Sequence, residues 1–188
     1  MQVSLDTLRR SIEAKRPVPQ TPQLPALQYP LFPAPRTAVL GAALRPETGV
    51  HCLPAWTTEQ LERLRPMALA GSWDELTTVA RLLHAGQLSL PDLLYPLVVF
   101  TSAGEGSLSP ERHMRLWESF RLPVFEQIRT ADWRLLATEC ESREGFHLAD
   151  GVEECELSGA RPAAACGCAS PRALYRVESA RTLAAAGG

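Results

Sequence analysis

Lysine is nearly absent: among 188 residues only Lys15 is a lysine, and arginine supplies the other eighteen of nineteen basic side chains. Chemistry that uses a lysine amine as nucleophile or phosphate clamp would have to draw on the N-terminal segment. An excess of either charge is lacking too. Nineteen basic residues face twenty-one acidic ones, for a formal net charge of -2, so no general field would hold a polyanion and a nucleic-acid partner is not expected. No run of eighteen apolar residues occurs, and residues 1–30 lack the apolar stretch of a signal peptide. Neither a membrane span nor secretion is therefore expected, which makes the cytoplasm the expected compartment. The backbone cradles for nucleotides are missing as well. There is no G-x-x-x-x-G-K-[ST], and no G-x-G-x-x-G opens a helix after a strand.

What is present suits a folded chain. With 45% hydrophobic and 21% charged residues, the composition is that of a protein able to bury a core, and the length fits one compact domain with an arm. Residues 3–16 place Val3, Leu5, Leu8 and Ile12 at approximate helical spacing among charged neighbours, predicting a short amphipathic helix over 1–16 that is either solvated or docked on a partner. Seven prolines follow between residues 17 and 35, which disfavours helix and ladder pairing and favours extended geometry. Residues 17–54 are thus expected to be a proline-rich arm or linker. Its apolar members Leu24, Leu27, Tyr29, Leu31 and Phe32 suit contact with the domain or a protein partner.

From residue 55 the pattern alternates. Thr57 with Gln60 forms a capping box before Leu61 and Leu64, Met67 to Ala70 read as a strand, and Ser72 with Glu75 opens a helix carrying Leu76, Val79, Ala80 and Leu83. Residues 97–100 form a continuous apolar run, as in a strand covered on both faces. Ser109 and Pro110 begin another helix with Met114, Trp117 and Phe120 as its expected buried stripe, and residues 124–128 make a further strand. Repeated strand–helix–strand units predict an α/β fold over 55–130: a small, mostly parallel sheet with flanking helices. Short β segments at 133–139 and 145–148, without a clear helix until about residue 178, predict a β-rich lobe over 131–178 and a tail over 179–188.

Five cysteines make an odd count for disulfides, and four fall within residues 140–168. Cys140, His147, Cys166 and Cys168, with gaps of six, eighteen and one residues, offer the thiolate and imidazole donors that zinc takes tetrahedrally. Gly167 between two cysteines lets the backbone turn both sulfurs toward one point. Cys155 is either a substitute ligand or a bystander. Two other readings stand beside this one: unrelated small cysteines with a core histidine, or a nucleophile–base pair of Cys140 or Cys166 with His147. Residues 101–106, Thr-Ser-Ala-Gly-Glu-Gly, follow a buried strand where open α/β sheets place ligands. The glutamates around the cysteines read as a solvated face.

In order, the 97–106 segment, the 109–120 helix, the 124–128 strand, Glu139-Cys140, Gly145-Phe146-His147, Cys166-Gly167-Cys168 and Pro171-Arg172 resemble the phenylacetate-CoA ligase-like branch of adenylate-forming enzymes over about residues 66–178. The resemblance implies that Gly104 and Glu105 stand at the adenine-side loop, where ATP, AMP or CoA would be the associated cofactors, and that Cys140, His147, Cys166 and Cys168 hold a structural zinc. The chain departs from that pattern in three respects. Ile128-Arg129 and Ala131-Asp132 replace the family's Tyr-Gly and Thr-Glu, no Ser/Thr/Gly-rich phosphate loop precedes the matched region, and the catalytic lysine has no counterpart. Barrier-lowering charge clamps are therefore missing. The sequence leads to the expectation of a non-catalytic zinc-binding accessory or interaction protein; the alternative is an acyl- or adenylate-binding component of a CoA ligase completed by a partner chain.

Overall fold

A computed structural model describes residues 24–178 except 158, 164, 165, 169 and 171. The helix expected over 1–16, arm residues 17–23, Pro171 and the tail over 179–188 lie outside the described residues. The elements in chain order are β1 (Thr37–Leu40), β2 (Val50–Leu53), α1 (Thr58–Leu64), β3 (Ala68–Ser72), α2 (Trp73–His84), β4 (Leu97–Ser102), α3 (Pro110–Phe120), β5 (Val124–Arg129), β6 (Leu135–Glu139), β7 (Phe146–Leu148), β8 (Ala160–Pro162) and β9 (Leu174–Val177). The protein is α/β, with nine strands in the order β2-β1-β3-β4-β5-β6-β7-β9-β8. The first five of that order pair in parallel, and every pair from β5 to β8 is antiparallel.

Alternation along the parallel strands divides two cores. Ala38, Leu40, Leu69, Val99 and Val124 pack with Leu61, Leu76, Val79 and Leu116 of the helices. Their neighbours Val39, Ala70, Val98 and Phe100 pack on the opposite face with Leu27, as a side-chain period of two requires. The helix starts follow the expected chemistry. Thr57 and Gln60 exchange side-chain-to-backbone hydrogen bonds of 2.9 and 3.2 Å, Ser72 Oγ accepts from Glu75 N at 3.3 Å, and Ser109 caps α3 with Pro110 in its first turn.

The structure corrects or refines three sequence expectations. Residues 37–54 are not arm: β1 is buried throughout and lies between β2 and β3, and β2 forms the edge. Four-residue strands so close to a proline run are too short to reveal a period. Second, the β-rich part over 131–178 continues the same sheet, because β6 pairs with β5 (Gln127↔Thr138, Ile128↔Ala137). Third, in α3 the fully buried residue is Leu116, whereas Met114 and Trp117 are 53% and 43% exposed. Leu116 and Phe120, four residues apart, form the inward ridge, and the Trp117 ring carries the Arg121 guanidinium 4.8 Å from its centroid.

Residues 24–30 lie along the domain. Leu27 is buried in the second core, Tyr29 Oη donates to Pro96 O at 2.7 Å, and Arg45 N donates to Pro25 O at 2.8 Å. Two buried side chains of β5 complete the docking. Gln127 donates its amide to Gln28 O. Arg129 donates to Ala26 O (2.9 Å), Trp133 O (2.7 Å) and Gln127 Oε1 (2.7 and 3.2 Å). Burial lowers the Arg129 pKa to about 10, and its guanidinium rests 5.0 Å from the Phe100 centroid.

Candidate metal centre

The four-residue cluster is built on the antiparallel half of the sheet. Cys140 follows β6 directly and opens a tight turn, with Cys140 N donating to Gly145 O at 2.7 Å and Arg143 N to Cys140 O at 2.8 Å. His147 lies in β7, paired with Thr138 on one side and Leu174 on the other. Gly145 permits this approach, since a Cβ there would overlap the carbonyl oxygen of Tyr175 in β9. Cys166 and Cys168 come from the segment between β8 and β9.

The donor atoms of Cys140, His147, Cys166 and Cys168 all lie within 4.8 Å of one another. Among the described residues this is the one group of three or more histidine, cysteine or acidic side chains so gathered. His147 Nε2 is 3.1 Å from Cys168 Sγ and 3.5 Å from Cys166 Sγ. Bond lengths of about 2.3 Å for Zn–S and 2.0–2.1 Å for Zn–N place tetrahedral donors roughly 3.5–3.8 Å apart, so the cluster has the size of such a site.

The surroundings set its chemistry. His147 Nδ1 is 3.1 Å from Ala173 O; a carbonyl can only accept, so Nδ1 carries the proton and the Nε2 lone pair faces the sulfurs. This backbone anchor of a ligating imidazole is the usual outer support of a metal site. Ser142 Oγ stands 3.0 Å from Cys140 Sγ and donates to Glu144 Oε2 at 3.2 Å, and the same carboxylate oxygen accepts from Gly167 N at 3.2 Å. The turn after β6 thereby holds both its own cysteine and the Cys-Gly-Cys segment.

The thiols do not ionise alike. Burial pushes Cys140 up, but hydrogen bonds from the Ser142 hydroxyl, the Ser142 backbone and the other two thiols outweigh it, bringing Cys140 down to about 6. The hydrogen bond with Cys166 pushes Cys168 up to about 11. Without a cation, crowded sulfurs share protons; a divalent ion would displace them and allow all to bind as thiolates. Three sulfurs around one imidazole make a ligand set, a poorer match to a nucleophile–base pair, which isolates one thiol.

Cys155 is exposed and stands apart from the cluster, 3.7 Å from Glu153 Oε2. Cys52 is in β2 and donates to Leu44 O at 3.3 Å. Gly104 and Glu105 follow β4, but the Glu105 carboxylate accepts from Ser102 N (3.3 Å) and Ser102 Oγ (3.0 Å) and so closes its own turn.

Sequence reasoning missed one buried and one half-buried acid. Glu126 accepts from Thr101 Oγ1 (2.7 Å), Leu108 N (2.8 Å) and Ser107 Oγ (3.1 Å), fastening the 101–108 loop to β5. Burial raises its pKa to about 6 despite those donors. Glu139, read as part of a solvated face, accepts from Glu126 N at 3.0 Å, and burial raises it to about 7 with a further push from Glu126. The available signal was one glutamate inside the apolar strand Val-Phe-Glu-Gln-Ile-Arg. Beside the cluster, a cavity of about 360 Å³ is lined by Cys140, His147, Cys168, Phe125 and Tyr29 among others.

Among the described residues no helix is long and apolar enough to cross a membrane. No model of a protein family matches the chain, and no curated protein matches it. Among solved structures it is similar to a 2-hydroxyisobutyryl-CoA ligase. The open conformation, in complex with 2-HIB-AMP and CoA, shares 13% identity over 69% of this chain and 32% of that one, with a TM-score of 0.44. The thioesterification state of that ligase shares 15% over 61% and 29%, also at 0.44, and its postadenylation state with 2-HIB-AMP shares 14% over 61% and 29%, at 0.41. The chain spans about a third of the length of these acyl-CoA ligases.

Proposed function

We propose that Cys140, His147, Cys166 and Cys168 hold one zinc ion that staples the segment between β8 and β9 to the sheet. On this reading the chain is a non-catalytic accessory or interaction protein resembling a fragment of the phenylacetate-CoA ligase-like branch of adenylate-forming enzymes. The convergence of four soft and borderline donors within 4.8 Å, with the imidazole lone pair turned toward the sulfurs, carries the reading. A site with four protein ligands is closed: it leaves no position for substrate or water, as structural zinc sites do and catalytic ones do not. Glu105 supports the non-catalytic part of this reading, because its carboxylate, on an exposed turn, is committed to Ser102. A protein partner suits arm residues Leu31 and Phe32, which are exposed, Phe32 completely.

The experiment is elemental analysis of the purified chain with thermal melts before and after chelation. About one zinc per chain, with a lower melting temperature after chelation, is the expected result. Metal-free protein with an unchanged melt would end the zinc reading.

A further inference from the structure

We propose that the centre is also an oxidant-responsive clasp: a hydroperoxide converts Cys140 and Cys168 to a disulfide and the zinc leaves, so that a covalent link replaces the metal between the end of β6 and the 166–168 segment. The inference rests on the zinc reading and deepens it.

Geometry selects the two sulfurs. Cys140 and Cys168 both line the 360 Å³ cavity, whereas Cys166 does not, so a small oxidant entering there meets those two first. They come from different elements, one ending β6 and one in the segment before β9, and their sulfurs lie within 4.8 Å, so a modest closure joins them. The other two thiols, Cys52 in β2 and Cys155, are outside the cluster and are not expected to compete. The cavity wall itself depends on the clasp, since Cys168 and Ser170 belong to it.

The chemistry balances with the hydroperoxide as the named oxidant. One thiolate attacks a peroxide oxygen; the O–O bond breaks, leaving a sulfenic acid and hydroxide. The second thiolate attacks the sulfenic sulfur, forming the S–S bond and expelling a second hydroxide. Two protons from solvent convert the hydroxides to water, for hydrogen peroxide two waters in all. Two sulfurs are oxidised and the peroxide is reduced by two electrons. With only Cys166 and His147 left as donors, affinity for zinc collapses.

The test treats zinc-loaded full-length protein carrying Cys155→Ser with hydrogen peroxide. Released zinc is followed with a chromogenic chelator, and tryptic peptides are followed by mass spectrometry. The expected result is loss of the whole zinc content in step with a cross-link between the peptides spanning 135–143 and 144–172, two hydrogens lighter than their sum. Reductant with added zinc should restore both metal and melting temperature. The link should persist in Cys166→Ser and vanish in Cys168→Ser, read on the treated apo-proteins. Retained zinc with unmodified thiols, conversion to sulfinic acid without a cross-link, or a link that survives Cys168→Ser would each overturn the proposal. Zinc content before treatment tests the metal reading separately: if the isolated chain holds none, that reading fails, and the cross-link in the same sample still reports on the thiol pair.

Discussion

Replacing Glu126 with glutamine should stabilise the protein at neutral pH, although Glu126 is deeply buried and hydrogen-bonded. The carboxyl is raised from its ordinary 4.5 to about 6, chiefly by burial. Between these values the folded chain holds a proton that the unfolded chain has released, so stability falls as pH rises through the window and stays lower above it. A shift of about 1.5 units corresponds to about 2 kcal/mol. A glutamine oxygen would still accept from Thr101 Oγ1 and Leu108 N, and its amide can donate to Ser107 Oγ, so the three contacts survive without a buried charge. Glu126→Gln is therefore expected to equal the wild type near pH 4.5 and to exceed it by about 1–2 kcal/mol at pH 7.5. Glu126→Leu strands the donors of Thr101 and Leu108 and should cost roughly 2–4 kcal/mol at either pH. Urea unfolding at pH 4.5, 6.0 and 7.5 reads the differences through the midpoint. A Gln variant that follows the wild-type pH dependence in parallel would refute the reasoning.

Gly145→Ala should lose roughly 2 kcal/mol or more, because its methyl would collide with the Tyr175 carbonyl; metal content should fall with it, and full zinc retention at wild-type stability would contradict the role given to this glycine. Arg129→Ala removes the donor to Ala26 O and Trp133 O and should destabilise by about 3 kcal/mol or more, with faster trypsin cleavage at Arg36 as the docking of residues 24–30 loosens; an unchanged cleavage rate would show that the arm is held by other contacts.

What was legible in the sequence follows from what distinguishes each element locally. The starts of α1, α2 and α3 were readable because a cap is a side chain bonding a backbone group three residues away. β4 was readable because its first four positions, Leu97 to Phe100, are consecutive buried apolar residues that leave no polar face. The metal candidates stood out because cysteine and histidine are sparse, so four in one region signal shared chemistry. By contrast, β1 and β2 owe their place to pairing with each other and with β3, contacts across sequence that a four-residue run cannot display. The α3 stripe was partly misread because Trp117 and Met114 look apolar at helical spacing, while Leu116, with Phe120 beside it, points to the core. Glu126 became buried, and Glu139 half-buried, through strand register, which places a charged residue by its neighbours rather than its type.

The most direct test of the zinc centre is X-ray absorption at the zinc edge on the purified, reduced protein. Three sulfurs at about 2.3 Å and one nitrogen at about 2.0–2.1 Å are expected, with the nitrogen lost in His147→Ala. A first shell of oxygens, or a spectrum indifferent to His147→Ala, would contradict the site built from Cys140, His147, Cys166 and Cys168.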